Sequence, residues 1–155
     1  MIDALLRIAL KVAYRGLQVW AWLVHPTVRG AFVAVWFDGE LLLVKNTYRD
    51  GTTLPSGRVG RNEEMRAAAQ RELAEEVGIV VDANELEPAC EFEAEFENRH
   101  EHVAFFEWHP VVRPAVRIDN REVGWAAFVP EPALEHEPLL AHVLRYLMIR
   151  RQNRG

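Results

Sequence analysis

Apolar residues fill most of the first 24 positions of the chain, interrupted at steps of three and four by Asp3, Arg7, Lys11, Arg15 and Gln18. At about 100° per residue these polar positions share one narrow arc, which predicts an amphipathic helix with a wide apolar face, stopped near His25-Pro26. After Gly30 the period changes. The runs AFVAVWF and ELLLVKN, on either side of Asp38-Gly39, predict a β-hairpin closed by a two-residue turn. A loop, TYRDGTTLPSGRVGRN, follows. Residues 63–78 then carry Ala, Leu, Glu and Arg in helix-forming proportion, with Gly78 placed to end the helix. Residues 86–96, 101–109 and 122–129 are predicted strands. In the first of these, Glu91, Glu93, Glu95 and Glu97 alternate with Phe92, Ala94 and Phe96, as a strand with one buried and one wet face should. Beyond a turn at Pro130-Glu131-Pro132, the residues Leu139, Leu140, Val143, Leu144, Leu147 and Met148 recur at helical spacing within 138–151. Mixed strands around a central helix, with a terminal helix, predict an α+β or layered α/β domain over residues 28–155, preceded by the helix of residues 1–25.

Composition narrows the class. A chain of 155 residues, 50% hydrophobic, suits one domain with a real core, and 26% charged residues beside 10% aromatics exclude wholesale disorder and fibrous repeats. The one cysteine, Cys90, cannot form an intramolecular disulfide or a cysteine zinc site, and points to a reducing, cytoplasmic setting. A net charge of -5 argues against a stable nucleic-acid partner while leaving nucleotides open. The charge is uneven: both ends of the chain are basic and residues 82–107 are strongly acidic. Three cations make the N-terminal helix too polar for an ordinary transmembrane span, and it lacks the cleavage site of a signal peptide. Its apolar face calls for a cover. The domain itself, a second copy in a homodimer, or an anionic membrane surface at which the chain is peripheral would each serve.

The chemistry lies in the helix at 63–78. Glu72, Glu75 and Glu76 stand at i, i+3 and i+4, so one turn presents three carboxylates on one face. Clustered like charges destabilise a helix unless a cation sits among them, and Arg71 supplies only one charge. A hard divalent cation is the better partner, because Mg²⁺ takes oxygen ligands and is usually shared between carboxylates and a substrate phosphate. On the glutamates alone, a solvated acidic face is an equal reading. The preceding loop breaks the tie. The stretch GRVGRNEEMRAAAQRELAEEVGI fits G-x5-E-x7-R-E-U-x-E-E-x-G-U, with U a bulky apolar residue, at Gly57, Glu63, Arg71, Glu72, Leu73, Glu75, Glu76, Gly78 and Ile79.

This segment resembles the signature box of the Nudix hydrolase family. The resemblance implies a Nudix fold, a mixed β-sheet sandwiched between helices, with the amphipathic N-terminal helix as an extra element. It also implies Mg²⁺- or Mn²⁺-dependent hydrolysis of a nucleoside diphosphate linked to another group. By the same resemblance Glu72, Glu75 and Glu76 match metal-binding positions. Ser56 would add its backbone carbonyl, and Gly57, Glu63 and Arg71 match supporting positions in which an ion pair holds loop to helix. Ser56 replaces a usual glycine and would be strained at positive φ; Asn62 also replaces a common glycine and tolerates the left-handed region. The general base falls among Glu75, Glu76 and a glutamate beyond the box, with Glu122 first and Glu101 second.

Other residues carry weaker signals. Arg49 and Arg58 flank the box loop and could clamp phosphate oxygens, or be ordinary loop cations. His100 and His102 are surface residues on this reading, since Mg²⁺ needs no imidazole. Trp36, Trp108 and Trp125 read as core or sheet-face residues before base-stacking platforms. No downstream tag selects a substrate, so nucleotide sugars, CDP-alcohols and ADP-ribose are all open. A nucleoside-triphosphate sanitiser and a non-catalytic nucleotide-sensing module stand as alternatives.

Overall fold

The computed structural model describes residues 2–24, 27–118 and 120–155. Helix α1 runs Ile2–Val24, so the predicted stop at His25-Pro26 lies outside the described residues, as does the side chain of Asp3. Strands β1 (Thr27–Phe37) and β2 (Glu40–Asn46) form the predicted hairpin. Asp38 and Gly39 both take positive φ, 48° and 76°, the conformation that matches the twist of a two-residue hairpin. The remaining elements are β3 (Ser56–Arg58), α2 (Met65–Val77), β4 (Glu87–Phe96), β5 (Arg99–Trp108), β6 (Val123–Pro130) and α3 (Ala141–Arg154), with 3-10 turns at Ala83–Glu85 and Glu131–His136.

The sheet has the order β4-β5-β1-β2-β6, with β3 added beside β1. It is mixed, because β1 and β5 are parallel over Thr27↔His100 to Val35↔Trp108 while the other pairs are antiparallel. Both faces are covered. Alternation along β1 sends Ala31, Val33 and Val35 toward α2, where Ala68, Ala69, Leu73 and Val77 pack, and sends Phe32, Ala34 and Trp36 toward Val143, Tyr146 and Leu147 of α3. Strand β1 is therefore buried on both sides, which is why it reads as an unbroken apolar run.

Three boundaries differ from expectation, each for a tertiary reason. The loop predicted before the box contains β3, whose register Ala31↔Gly57 is made with a strand far away in sequence. Helix α2 begins at Met65, because Glu64 is extended and the Glu63 carboxylate is bound by the Gly60 N–H at 2.8 Å. Leu139 and Leu140 precede α3; the Leu140 N–H donates to Thr52 O at 3.0 Å, and Pro138 O accepts from the Thr52 N–H at 2.9 Å. Leu144 and Met148 are accordingly exposed, and the buried stripe of α3 is His142, Val143, Tyr146, Leu147 and Arg150.

Helix α1 packs lightly. Of its larger apolar residues Leu5, Ile8, Val12, Val19, Trp22 and Leu23 stand in solvent, while Ala21 is buried. Among the described residues no helix is long and apolar enough to cross a membrane.

Candidate active site

Where β2 leaves β1 to follow β6, β3 takes its place beside β1, and α2 packs against that junction through Glu72 and Glu76. The box loop and helix thus meet at the C-terminal end of β2. Gly57 shows how closely. A Cβ built on it would lie 2.0 Å from the Glu72 carboxylate, so only glycine lets β3 pass over this side chain.

Arg71 holds the loop to the helix. Its Nε and Nη2 donate to the two Glu63 oxygens at 2.9 and 3.1 Å, a two-pronged pair, and Nη2 also donates to Arg58 O at 3.1 Å. The Arg71 guanidinium and the Gly60 N–H draw the Glu63 carboxyl down to about 2. Nη1 of Arg71 turns to Glu72 and, at 3.2 Å, to Glu75. Glu75 is largely exposed.

Glu76 is the buried member of the cluster. Its Oε2 accepts from the Ser56 N–H at 2.9 Å and its Oε1 from Asn46 Nδ2 at 3.5 Å. Burial pushes its carboxyl up to about 8, opposed by the Ser56 N–H and reinforced by the charges of Glu72 and Glu122. Burial likewise raises Glu72, against the pull of Arg71. Neither departure of the box strains the chain: Ser56 and Asn62 are both absent from the positive-φ residues, so Asn62 does not use the left-handed region foreseen for it.

Above the box opens a cleft of about 570 Å³, within the range of small-molecule sites. Ser56, Gly57, Arg58 and Arg49 lie along it, with Glu122 from the start of β6. The structure brings Glu122 within electrostatic reach of Glu72 and Glu76. Glu101 also borders this cleft, but its carboxylate is taken up by Arg99 at 3.3 Å and His142 at 3.0 Å. His100 and His102 pair instead with Glu95 and Glu91 on the surface.

Helix α1 supplies the cleft's apolar wall through Leu10, Ala13, Leu17 and Trp20. Tyr14 anchors the helix, donating to Glu97 and meeting the Tyr48 ring at 5.1 Å between centroids. Sequence reasoning missed Asn46, Tyr48 and Tyr14. The one available signal was Asn46, a polar residue following the apolar run Leu41, Leu42, Leu43, Val44 and the exposed Lys45. Of the tryptophans, Trp36 is buried and donates to the Tyr146 hydroxyl at 2.8 Å, Trp108 is half-buried, and Trp125 is 40% exposed.

Oxygen donors of the kind a hard cation takes neighbour one another in the carboxylates of Glu72, Glu75 and Glu76, and burial raises the pKa of Glu72 and Glu76. Among the described residues no three such groups already converge on one point, so ligation asks Glu72 and Glu75 to turn from Arg71.

The fold recurs in known proteins. A family model described as NUDIX domain matches residues 26–150. No curated protein matches the chain. Among solved structures, the MutT protein from Methanosarcina mazei Go1 is 20% identical with TM-score 0.71, covering 85% of this chain and 99% of its own. The NUDIX domain of Shewanella oneidensis NrtR, complexed with ADP ribose, is 17% identical with TM-score 0.68, covering 85% and 90%. A bifunctional NMN adenylyltransferase/ADP ribose pyrophosphatase from Francisella tularensis, complexed with AMP and Mn ion, is 18% identical with TM-score 0.70; the match covers 93% of this chain and 48% of that one.

Proposed function

The chain belongs to the Nudix family, whose hydrolases act on pyrophosphate bonds, and on that basis we propose that it is a divalent-cation-dependent pyrophosphohydrolase of a nucleoside diphosphate linked to a second group. The observation that carries this reading is the intact Glu63–Arg71 clamp beneath an acid cluster that opens on a cleft of substrate size. Two structural neighbours bound to ADP ribose or AMP support a nucleotide ligand.

Glu72, Glu75, Glu76 and the Ser56 carbonyl would hold Mg²⁺ or Mn²⁺. Bound there, the cation would neutralise the diphosphate, lower the pKa of a coordinated water and stabilise the departing phosphate. The chain's own groups do the rest. Arg49 and Arg58, which edge the cleft, orient phosphate oxygens. Glu122, exposed and facing the acid cluster, is our candidate general base. Leu17 and Trp20 of α1 exclude water from the apolar side of the cleft.

A panel of nucleotides incubated with Mg²⁺, with phosphate read after phosphatase addition, tests this. We expect hydrolysis of diphosphate-linked substrates, loss with chelator, and a fall of about 100-fold or more in Glu76→Gln with folding retained. Near wild-type turnover of Glu76→Gln at limiting Mg²⁺ overturns the metal assignment. Release confined to triphosphates selects a sanitising enzyme. Binding of ADP-ribose with no turnover selects a sensing module.

A further inference from the structure

The cationic side of α1 is exposed and borders a cleft against the domain. Arg7, Lys11 and Arg15 form one wall of a second cleft, about 840 Å³, whose opposite wall carries Lys45 from the end of β2 and Arg49 from the loop after it. Two acids share this lining, Asp50 and Glu97, and Glu97 is already engaged by the Tyr14 hydroxyl and by Arg99 at 3.1 Å. Among the described residues Lys11, Arg15 and Lys45 have no carboxylate partner, although the chain holds 23 acids. Five cations lining one concavity repel one another unless an anion lies among them.

The cleft also has a direction. Arg49 and Tyr48 line both this cleft and the one above the box, and the Arg49 charge acts on Glu76. A molecule with its diphosphate at the box therefore continues past Arg49 into the cationic space. Trp125 lies along that path and leaves 40% of its surface free to take a ring.

We propose that the cleft between α1 and the Lys45–Asp50 segment is a subsite for the part of the substrate beyond the scissile diphosphate, and that this part carries at least one further phosphate group. The proposal rests on the pyrophosphohydrolase reading for its orientation, but not for the binding itself. Arginine and lysine donors placed on two facing walls can share one phosphate, and phosphate is the group such charge-assisted donors bind best. The substrate class is thereby narrowed to phosphorylated derivatives of a nucleoside diphosphate conjugate, over their plain counterparts.

Two measurements on the full chain test this. The first is calorimetric titration with inorganic tripolyphosphate, without divalent cation, at two salt concentrations. We expect affinity that falls with salt and a loss of about tenfold or more in the double variant Lys11→Gln/Arg15→Gln. A second double variant, Arg151→Gln/Arg154→Gln, removes the same charge from the far end of α3 and should bind as the parent does. Equal binding by the parent and Lys11→Gln/Arg15→Gln overturns the subsite. The second measurement compares kcat/KM within pairs that differ by one remote phosphate, NADP against NAD and coenzyme A against dephospho-coenzyme A. The parent should favour a phosphorylated member by about tenfold, through KM, and the Lys11→Gln/Arg15→Gln variant should lose that preference. Hydrolysis with no preference in either pair overturns the proposal and leaves the enzyme reading standing. No hydrolysis of any substrate, with tripolyphosphate binding lost in the variant, keeps the subsite and removes the enzyme reading.

Discussion

Gly57 is where the smallest side chain has the largest structural consequence. The space a Cβ would need holds the Glu72 carboxylate 2.0 Å away, and the neighbours on either side are tied down, Ser56 by its N–H to Glu76 and Arg58 by its carbonyl to Arg71. The conflict cannot be relieved by a hinge in β3, so Glu72 must swing out. We expect Gly57→Ala to cost about 1–3 kcal/mol, a fall of several degrees in melting temperature by circular dichroism, and to weaken Mn²⁺ binding read by electron paramagnetic resonance. An unchanged melting temperature would mean that Glu72 occupies another rotamer in solution. The same logic separates the two roles of Arg71. As a two-pronged partner of Glu63 it is a positioning residue, and its contacts with Glu72 and Glu75 keep those carboxylates in register with the loop.

At the scale of elements, α1 behaves unlike the rest. Strands β1 and β5, and the helices α2 and α3, bury continuous apolar surface against the sheet. Helix α1 leaves Leu5, Ile8, Val12, Val19, Trp22 and Leu23 exposed on one side while its other faces wall two clefts. Its inward contacts are few: the Tyr14–Tyr48 ring pair, the Tyr14 bond to Glu97, and Arg7 Nε to Asn120 O at 2.9 Å. Contiguous exposed apolar patches are a common feature of interfaces. Deleting residues 1–25 should leave α2 and its acids folded. We expect the truncated protein to retain cation-dependent hydrolysis with KM raised by about tenfold, as apolar wall and cationic stripe are both lost, and to lose self-association or liposome binding in sedimentation. Loss of kcat with unchanged KM would mean that α1 positions the reacting groups.

For the whole molecule, two carboxylates far apart in the fold set the acid limit. Glu63 is held at about 2 by the Arg71 guanidinium and the Gly60 N–H. Glu107, under α3, is also lowered: burial works to raise it, and the Tyr146 hydroxyl, His109 and Arg150 outweigh burial. Both groups have a folded-state pKa below the ordinary 4.5, so the folded state binds fewer protons than the unfolded chain. Their contribution is fully present above that value and is lost as pH falls from about 5 toward 2. Glu76 acts in the opposite sense, since its raised pKa makes the folded state less stable as pH climbs from 4.5 through about 8. We expect a melting temperature that is highest near pH 5–6 and falls steeply on the acid side, with the acid slope reduced in Arg71→Ala. An acid limb of the same steepness in Arg71→Ala would assign the effect to Glu107 and its partners alone.

Local order carried much of this molecule in its sequence. The Asp38-Gly39 hairpin, the Gly78 helix stop and the Glu-Phe alternation of β4 depend on neighbours a few residues away, and each is legible as a pattern. The box was legible because metal and clamp positions on one helix turn must keep fixed spacing. Long-range pairing was not. Strand β3 exists because residues 56–58 find residues 30–32, Leu139 and Leu140 are extended because Thr52 claims their backbone, and the dry side of α3 follows from where the sheet lies. The clefts belong to the same class of fact. The stripe Arg7, Lys11, Arg15 is plain in the sequence as helical periodicity, but periodicity says only that those side chains share a face. That this face borders one cleft with Lys45 and Arg49 was decided by where α1 lies against the domain, because the pairing of segments thirty or more residues apart leaves no local period to read.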